Sequence, residues 1–123
     1  SEIESASSWT INDQPPSFPE CENLDIDNQL VCFRNKIEME MNIFLKDKVF
    51  PLDTTEYVLT LRIDTIGNFS LTNLLPKDKL DKKLVLIIQE AVEKLPNALP
   101  AIKTNVGEFV EVKYNLPFKL NYE

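Results

Sequence analysis

Acidic side chains are the most numerous candidates for chemistry in this sequence. Asp and Glu number 20, and some form close pairs, such as Glu20 with Glu22 and Glu38 with Glu40. Two carboxylates can act together as a general acid and a general base. A chain this rich in acids forms such pairs by chance, so we interpret them as solvated surface. The sequence has no His, which excludes Ser-His-Asp and Cys-His catalysis and removes the commonest metal ligand.

Phosphate and calcium sites are not indicated either. The two glycines, Gly67 and Gly107, cannot form a Gly-rich phosphate loop. Residues 64–68 are too few for a calcium-binding loop and favour a hairpin turn. A cluster of lysines near residue 80 is interleaved with Asp78 and Asp81, which is typical of a solvated helix end rather than a patch for an acidic partner. We therefore predict that the chain is not an enzyme and needs no cofactor or metal.

The two cysteines, Cys21 and Cys32, allow one disulfide. Their spacing is wrong for a CxxC redox motif, and without His they do not suggest a zinc site. A disulfide would close a loop of about 12 residues and add roughly 2–3 kcal/mol of stability. The alternative is two buried thiols in a reducing compartment. We favour the disulfide, which favours an extracytoplasmic location.

Length and charge limit the remaining classes of function. The chain has 123 residues and a net charge of −7. It is long enough for one domain with a core, and its charge argues against binding nucleic acid or an anionic membrane. No run of 18 apolar residues and no signal peptide is visible. Because the chain begins with Ser1, we expect any membrane anchor to lie outside this chain.

Helical periodicity predicts two helices in a domain that spans residues 15–123, after a flexible tail or linker over residues 1–14. Asp27 or Asn28 can cap the first helix. The second would begin at Asp78, with Asp81 completing a capping-box-like arrangement, and would end before Pro96. The apolar residues that share one face of the first helix are Leu30, Phe33, Ile37, Met41 and Phe44. Those of the second helix are Leu80, Leu84, Ile87, Ile88, Ala91 and Leu95.

Period-two alternation predicts three strands. The first two form a hairpin, from residue 57 to residue 64 and from Phe69 onwards, with Gly67 in the turn. The third is the longest alternation, over residues 107–122, where the even positions are apolar almost without a break. Pro117 cannot donate a backbone hydrogen bond, so the third strand is expected at a sheet edge, at least locally. Pro117 should also divide the strand into a pairing part, residues 109–114, and a part that covers the core.

The order of elements predicts an α+β fold, with two helices packed on one face of a three-stranded sheet in the order 2-1-3. The hairpin pairs the first two strands, and the helical connection returns the third strand beside the first. An edge strand has unpaired backbone groups and can accept a strand from another protein. The third strand is therefore the predicted interaction site.

The assembled pattern resembles the C-terminal domain of TonB-type energy transducers over residues 15–122. The lead-in from Phe18 to Phe33 is similar to that of Bacteroidetes-type members. The family pattern is matched at Val58, Ile63, Asp64, Gly67, Pro96, Pro100, Ala101, Gly107, Val110, Val112, Tyr114, Pro117 and Phe118. The chain departs from the family where Thr55 and Glu56 replace the Gly before the first strand, and where Glu20 replaces the Gly of the lead-in.

The resemblance implies two helices on a three-stranded sheet and a periplasmic, cell-envelope protein. It also implies a protein partner, an outer-membrane TonB-dependent transporter, whose short N-terminal box adds as a strand beside the last strand. The positions carried over are Glu108, Phe109, Val110, Glu111, Val112, Lys113 and Tyr114. The departures leave a second possibility: a divergent stand-alone envelope protein or lipoprotein domain that does not transduce energy. Such a domain could be structural or could form a homodimer by pairing its own edge strands.

Overall fold

Two helices and six strands form within residues 3–4, 14–48, 55–103 and 108–119, the parts of the chain that the computed structural model describes. The helices are α1 (Ile26–Leu45) and α2 (Lys82–Glu93). Short 3₁₀ turns cover Pro19–Cys21 and Lys77–Lys79. The strands are β1 (Ile3–Glu4), β2 (Glu56–Ile63), β3 (Phe69–Leu75), β4 (Ala101–Lys103), β5 (Glu108–Val110) and β6 (Val112–Lys119).

The main sheet is antiparallel and has the order β1-β6-β2-β3. β2 pairs with β6 along its whole length, from Glu56 opposite Lys119 to Ile63 opposite Val112. The α+β class and the predicted 2-1-3 order are therefore confirmed, because the hairpin strands β3 and β2 are followed across the sheet by β6. Two further strands were not predicted: β1 lies outside β6, and β4 pairs with β5 in a separate two-stranded sheet.

One face of the sheet and both helices share a single core. On β2 the residues Tyr57, Leu59, Leu61 and Ile63 are buried, as their alternation predicts. On β3 the register shifts by one residue beside Thr60, so Leu74 is buried rather than Leu75. This bulge changes which face the second half of β3 presents to the core.

The predicted apolar faces of the helices are largely confirmed. α1 buries Phe33, Ile37, Met41 and Leu45, while Leu30 is exposed and Phe44 is only partly buried. α2 buries Leu84, Ile88, Ala91 and Val92, with Leu95 just beyond its end. Leu45 and Val92 are buried although they are not on the predicted faces, whereas Leu30 is exposed and Ile87 is only partly buried. The buried face of each helix is therefore rotated slightly from the predicted one.

Both predicted helix caps were wrong. The N-cap of α1 is Asp25, whose carboxylate accepts a hydrogen bond from the backbone N–H of Asn28 at 2.9 Å. The N-cap of α2 is Asp81, whose carboxylate accepts from the backbone N–H of Leu84 at 2.8 Å. Asp78 lies in the 3₁₀ turn before it. Leu80 has an extended backbone, which prevents the helix from beginning earlier.

The predicted disulfide between Cys21 and Cys32 is confirmed, with the two Cα atoms 5.8 Å apart. It joins the 3₁₀ turn at Pro19–Cys21 to the second turn of α1. Cys21 is fully buried in the core. The segment that precedes α1 is therefore covalently attached to the helix it packs against.

Replacing both cysteines by alanine should lower the free energy of unfolding by roughly 2–3 kcal/mol, because the unfolded chain gains the entropy that the closed loop removes. Urea denaturation of the double variant and of the wild-type protein measures the difference. The matched control is reductant, which should shift the wild-type midpoint and leave the double variant unchanged. Coincident midpoints for oxidised wild type and the double variant would contradict the expectation.

Candidate strand-accepting edge

The outer side of β6 already carries a short strand from the same chain. β1 pairs antiparallel with β6, with Ile3 opposite Tyr114 and Glu4 opposite Lys113. Residues 3–4 fall within the segment predicted to be a flexible tail, and β6 is consequently not the outermost strand at these two positions. An unpaired strand edge presents free backbone donors and acceptors to any extended segment that reaches it. The pairing with β1 indicates that this edge can accept a strand.

Beyond Tyr114 the outer side of β6 has no partner strand among the described residues. Pro117 lies in this part and stands opposite Val58 of β2. Because proline has no N–H, it is tolerated in a sheet where its nitrogen faces away from a hydrogen-bonded neighbour. The predicted local edge at Pro117 therefore agrees with the described strands.

The two faces of β6 differ as the alternation predicts. Val112, Tyr114, Leu116 and Phe118 are buried, and Lys113, Pro117 and Lys119 are exposed. The core thus holds one face of the strand. Leu120 and Tyr122, which complete the predicted alternation, lie outside the described residues.

The seven predicted partner-binding residues do not form one strand. Glu108, Phe109 and Val110 belong to β5, which pairs with β4, whereas Val112, Lys113 and Tyr114 belong to β6. The predicted single strand over residues 107–122 was therefore wrong in one respect, since it is interrupted at Glu111 rather than divided at Pro117. The physical reason is that β5 turns back on β4, a pairing that the alternation does not encode.

Polar contacts join β2 to β6, and to the residue just before β6, on the solvent-facing side of the sheet. The guanidinium Nε of Arg62 donates to the carboxylate of Glu111. The hydroxyl of Thr60 donates to the side-chain carbonyl oxygen of Asn115 at 2.9 Å. Both partners of the ion pair are about half exposed, so it contributes at most about 1 kcal/mol. The ion pair engages the carboxylate of Glu111. Lys113 is an exposed cation at the edge.

Asp64 and Gly67, two of the positions that match the TonB-type pattern, form the turn of the β2–β3 hairpin. The Asp64 carboxylate accepts hydrogen bonds from the backbone N–H groups of Ile66 at 3.0 Å and Asn68 at 2.9 Å. Gly67 has the positive φ expected from the turn, and its carbonyl accepts from the N–H of Ala98 at 2.9 Å. The hairpin tip is thereby attached to the segment that follows α2.

Sequence reasoning missed the backbone partners of this region. Gln14 bridges to Ile102 and Ser17 bridges to Leu99, so the segment before α1 runs antiparallel along the segment after α2. The residue types do not predict either pairing, because the hydrogen bonds are formed by backbone groups. β4 was not predicted either, since three residues are too few to show alternation.

The described residues do not indicate a metal site. Within them, no three His, Cys, Asp or Glu side chains come together as a group that could hold a metal ion. No helix in the same parts of the chain is both long and apolar enough to cross a membrane. The outer edge of β6 is therefore the candidate site that the described structure offers.

Comparisons with protein-family models, with curated proteins and with solved structures give no match for this chain.

Substitution of Asp64 by Asn should weaken the pH dependence of stability in acid. Partial burial opposes ionisation, but the N–H groups of Asn68 and Ile66 favour it and hold the pKa of Asp64 below its usual value. The folded pKa is thus below the unfolded one, so this stabilisation is present above about pH 4 and is lost as pH falls through the folded pKa. Urea denaturation at several pH values between neutrality and the acid limit measures the slope. Asp78→Asn, at an exposed position, is the control, and equal slopes for wild type and Asp64→Asn would contradict the expectation.

Replacing Gly67 by alanine should destabilise the protein by roughly 1–3 kcal/mol, the usual cost of a strained backbone conformation. Its φ is +88°, and an added Cβ would collide with the carbonyl of Ala98. Thermal or urea unfolding measures the loss. Ile66→Ala is the matched control in the same turn, because Ile66 is 67% exposed and should lose little. A Gly67→Ala variant as stable as this control would show that the turn can relax.

Proposed function

We propose that this chain is a non-enzymatic protein–protein interaction module that binds an extended segment of a partner by strand addition along the outer edge of β6. The pairing of β1 with Tyr114 and Lys113 supports this proposal most directly, because the edge already accepts an antiparallel strand. Main-chain hydrogen bonds supply affinity in this mode, and the side chains beside the edge supply specificity.

The residues along β6 suggest the chemistry of the partner. An incoming strand would lie beside the buried face at Tyr114 and Leu116 and beside the exposed face at Lys113 and Lys119. Apolar residues suit the first face, and acidic or polar residues suit the second. In the pairing with β1, Ile3 stands opposite Tyr114 and Glu4 opposite Lys113. We therefore expect a partner segment that alternates apolar with acidic or polar residues.

A longer partner strand would displace β1. β1 pairs at two residues, whereas β6 extends over eight, from Val112 to Lys119. A partner that pairs along more of β6 forms more backbone bonds than it breaks, up to the interruption that Pro117 imposes. The displaced residues 3–4 would return to the solvent.

The resemblance to the TonB C-terminal domain supports a more specific form of the proposal. In that form the partner is the N-terminal box of an outer-membrane transporter, and the protein acts in the periplasm. The disulfide favours an extracytoplasmic location. Of the seven positions carried over, Val112, Lys113 and Tyr114 belong to the proposed edge, and Glu108, Phe109 and Val110 belong to the adjoining β4–β5 sheet.

Titration with peptides of transporter boxes from the same organism should shift the amide signals of residues 112–119 and of residues 3–4 in an NMR spectrum. The expected reason is that the added strand bonds to β6 and releases β1. Shifts confined to α2 or to the β4–β5 sheet would contradict the proposal, whereas binding of an unrelated alternating peptide alone would contradict only the transporter assignment.

A matched pair of variants at Lys113 separates backbone pairing from charge. Lys113→Pro removes a backbone N–H from the edge, and Lys113→Ala removes the ammonium and keeps the N–H. We expect the proline variant to lose roughly tenfold or more in affinity and the alanine variant to lose less. Circular dichroism checks that both remain folded. Equal affinities for the proline variant and wild type would exclude strand addition at this position.

A further inference from the structure

The outward face of α1 carries apolar side chains that do not belong to the core. Phe33, Ile37 and Met41 point into the core. On the opposite side of the helix, Val31 and Met39 are each 48% exposed. A solvent-facing helix surface is ordinarily polar, so the burial of Phe33, Ile37 and Met41 does not account for this second apolar face.

The residue types along this outward face are nearly symmetric about Asn35. At 100° per residue its members fall within a stripe about 80° wide. Four residues before Asn35 stands an apolar residue, and four residues after it stands another. Seven residues before and after stand two asparagines. Within α1 the stripe consists of Asn28, Val31, Asn35, Met39 and Asn42, and it is flanked outside the helix by Leu24 and Lys46, which differ in type.

Two shallow grooves of nearly equal volume follow the stripe, of about 570 and 580 Å³. Leu24 and Val31 line the first, Asn42 lines the second, and Asn35 and Met39 line both. The grooves therefore meet at the centre of the stripe. The other lining residues differ: Glu20, Asn28, Cys32 and Lys36 complete the first groove, and Glu38, Ile43 and Lys46 complete the second. A stripe with like residues four and seven positions on either side of Asn35 suits an interface with two-fold symmetry.

From this arrangement we infer that a second copy of this chain packs on the outward face of α1, with the two helices antiparallel and Asn35 on the two-fold axis. Val31 of each protomer then faces Met39 of the other, and Asn28 faces Asn42. The two Asn35 amides meet at the axis. α1 has 20 residues and is about 30 Å long, so the contact can run along most of its length.

Charge supports the antiparallel direction. Asp25 and Asp27 lie at the N-terminal end of α1, and Lys46 follows its C-terminal end. In an antiparallel pair Lys46 of one copy comes close to these carboxylates of the other. The helix dipoles are also opposed in this direction, which is favourable. A parallel pair would instead place like charges together at each end.

Asn35 favours one register over neighbouring ones. A polar residue within a helix–helix seam fixes register because its amide must find a partner when water is excluded. A shift by one turn would place Asn35 of one copy against Val31 or Met39 of the other. This contact lies on a helix face and is independent of the β6 edge.

Analytical ultracentrifugation of the oxidised protein from about 1 μM to about 1 mM, the range of weak interfaces, should show a monomer–dimer equilibrium. Asn35→Lys places two ammonium groups on the axis and should raise the dimer dissociation constant roughly tenfold or more. The exposed position and the better helix propensity of Lys leave the monomer folded. Leu86→Lys, at a 57% exposed position of α2, is the matched control and should leave dimerisation unchanged.

A charge exchange tests the antiparallel direction. Lys46→Glu should weaken the dimer, and the additional substitution Asp27→Lys should restore it. A monomer throughout the concentration range would overturn the inference, as would a dimer unaffected by Asn35→Lys. A dimer abolished by Lys113→Pro and insensitive to Asn35→Lys would instead be formed by the β6 edges.

Discussion

Packing of aromatic rings around Phe33 is the interaction on which the rest of the fold depends. The ring of Phe33 stacks on Phe18 at 5.1 Å and on Phe69 at 6.2 Å between centroids, and it meets the ring of Tyr114 edge-on at 5.4 Å. These residues come from the segment before α1, from α1, from β3 and from β6. The disulfide at Cys32, next to Phe33, adds a covalent bond at the same place. Four distant parts of the chain are thus joined at one point.

The proposed strand-accepting edge is joined to this cluster through Tyr114. Tyr114 is buried in the cluster on one face, while its backbone pairs with Leu61 of β2 on one side and with Ile3 of β1 on the other. An edge held in position before binding loses little conformational freedom when a strand is added. In the proposed function, recognition would therefore depend on backbone groups whose geometry the core determines.

Sequence reasoning succeeded where a residue's environment depends on its own side chain. Tyr57, Leu59 and Leu61 had to be buried on any partner strand, because the period-two alternation places them on one face. It failed where a segment could pair through its backbone with more than one other segment. Glu111 looks like one more polar position in a long alternation, yet the chain changes sheets there because β5 finds β4. Ile3 carries no signal that could place it beside Tyr114. The capping aspartates were misplaced for a related reason, since several acids near each helix start could have accepted the bond.

α1 carries the same spacing of residues on two faces, and only one of them packs into the core. Packing into the core explains why Phe33, Ile37 and Met41 are apolar. It does not explain the apolar residues of the stripe centred on Asn35. The stripe lies on the side of α1 away from the sheet, whereas the β6 edge lies in the plane of the sheet. A dimer formed through the stripe would leave both edges open and present two strand-accepting sites in one particle. Two such sites bind a partner with two suitable segments far more tightly than one site does, because the second binding event becomes intramolecular. Dimerisation by the helix and recognition by the strand would then act together without sharing a residue.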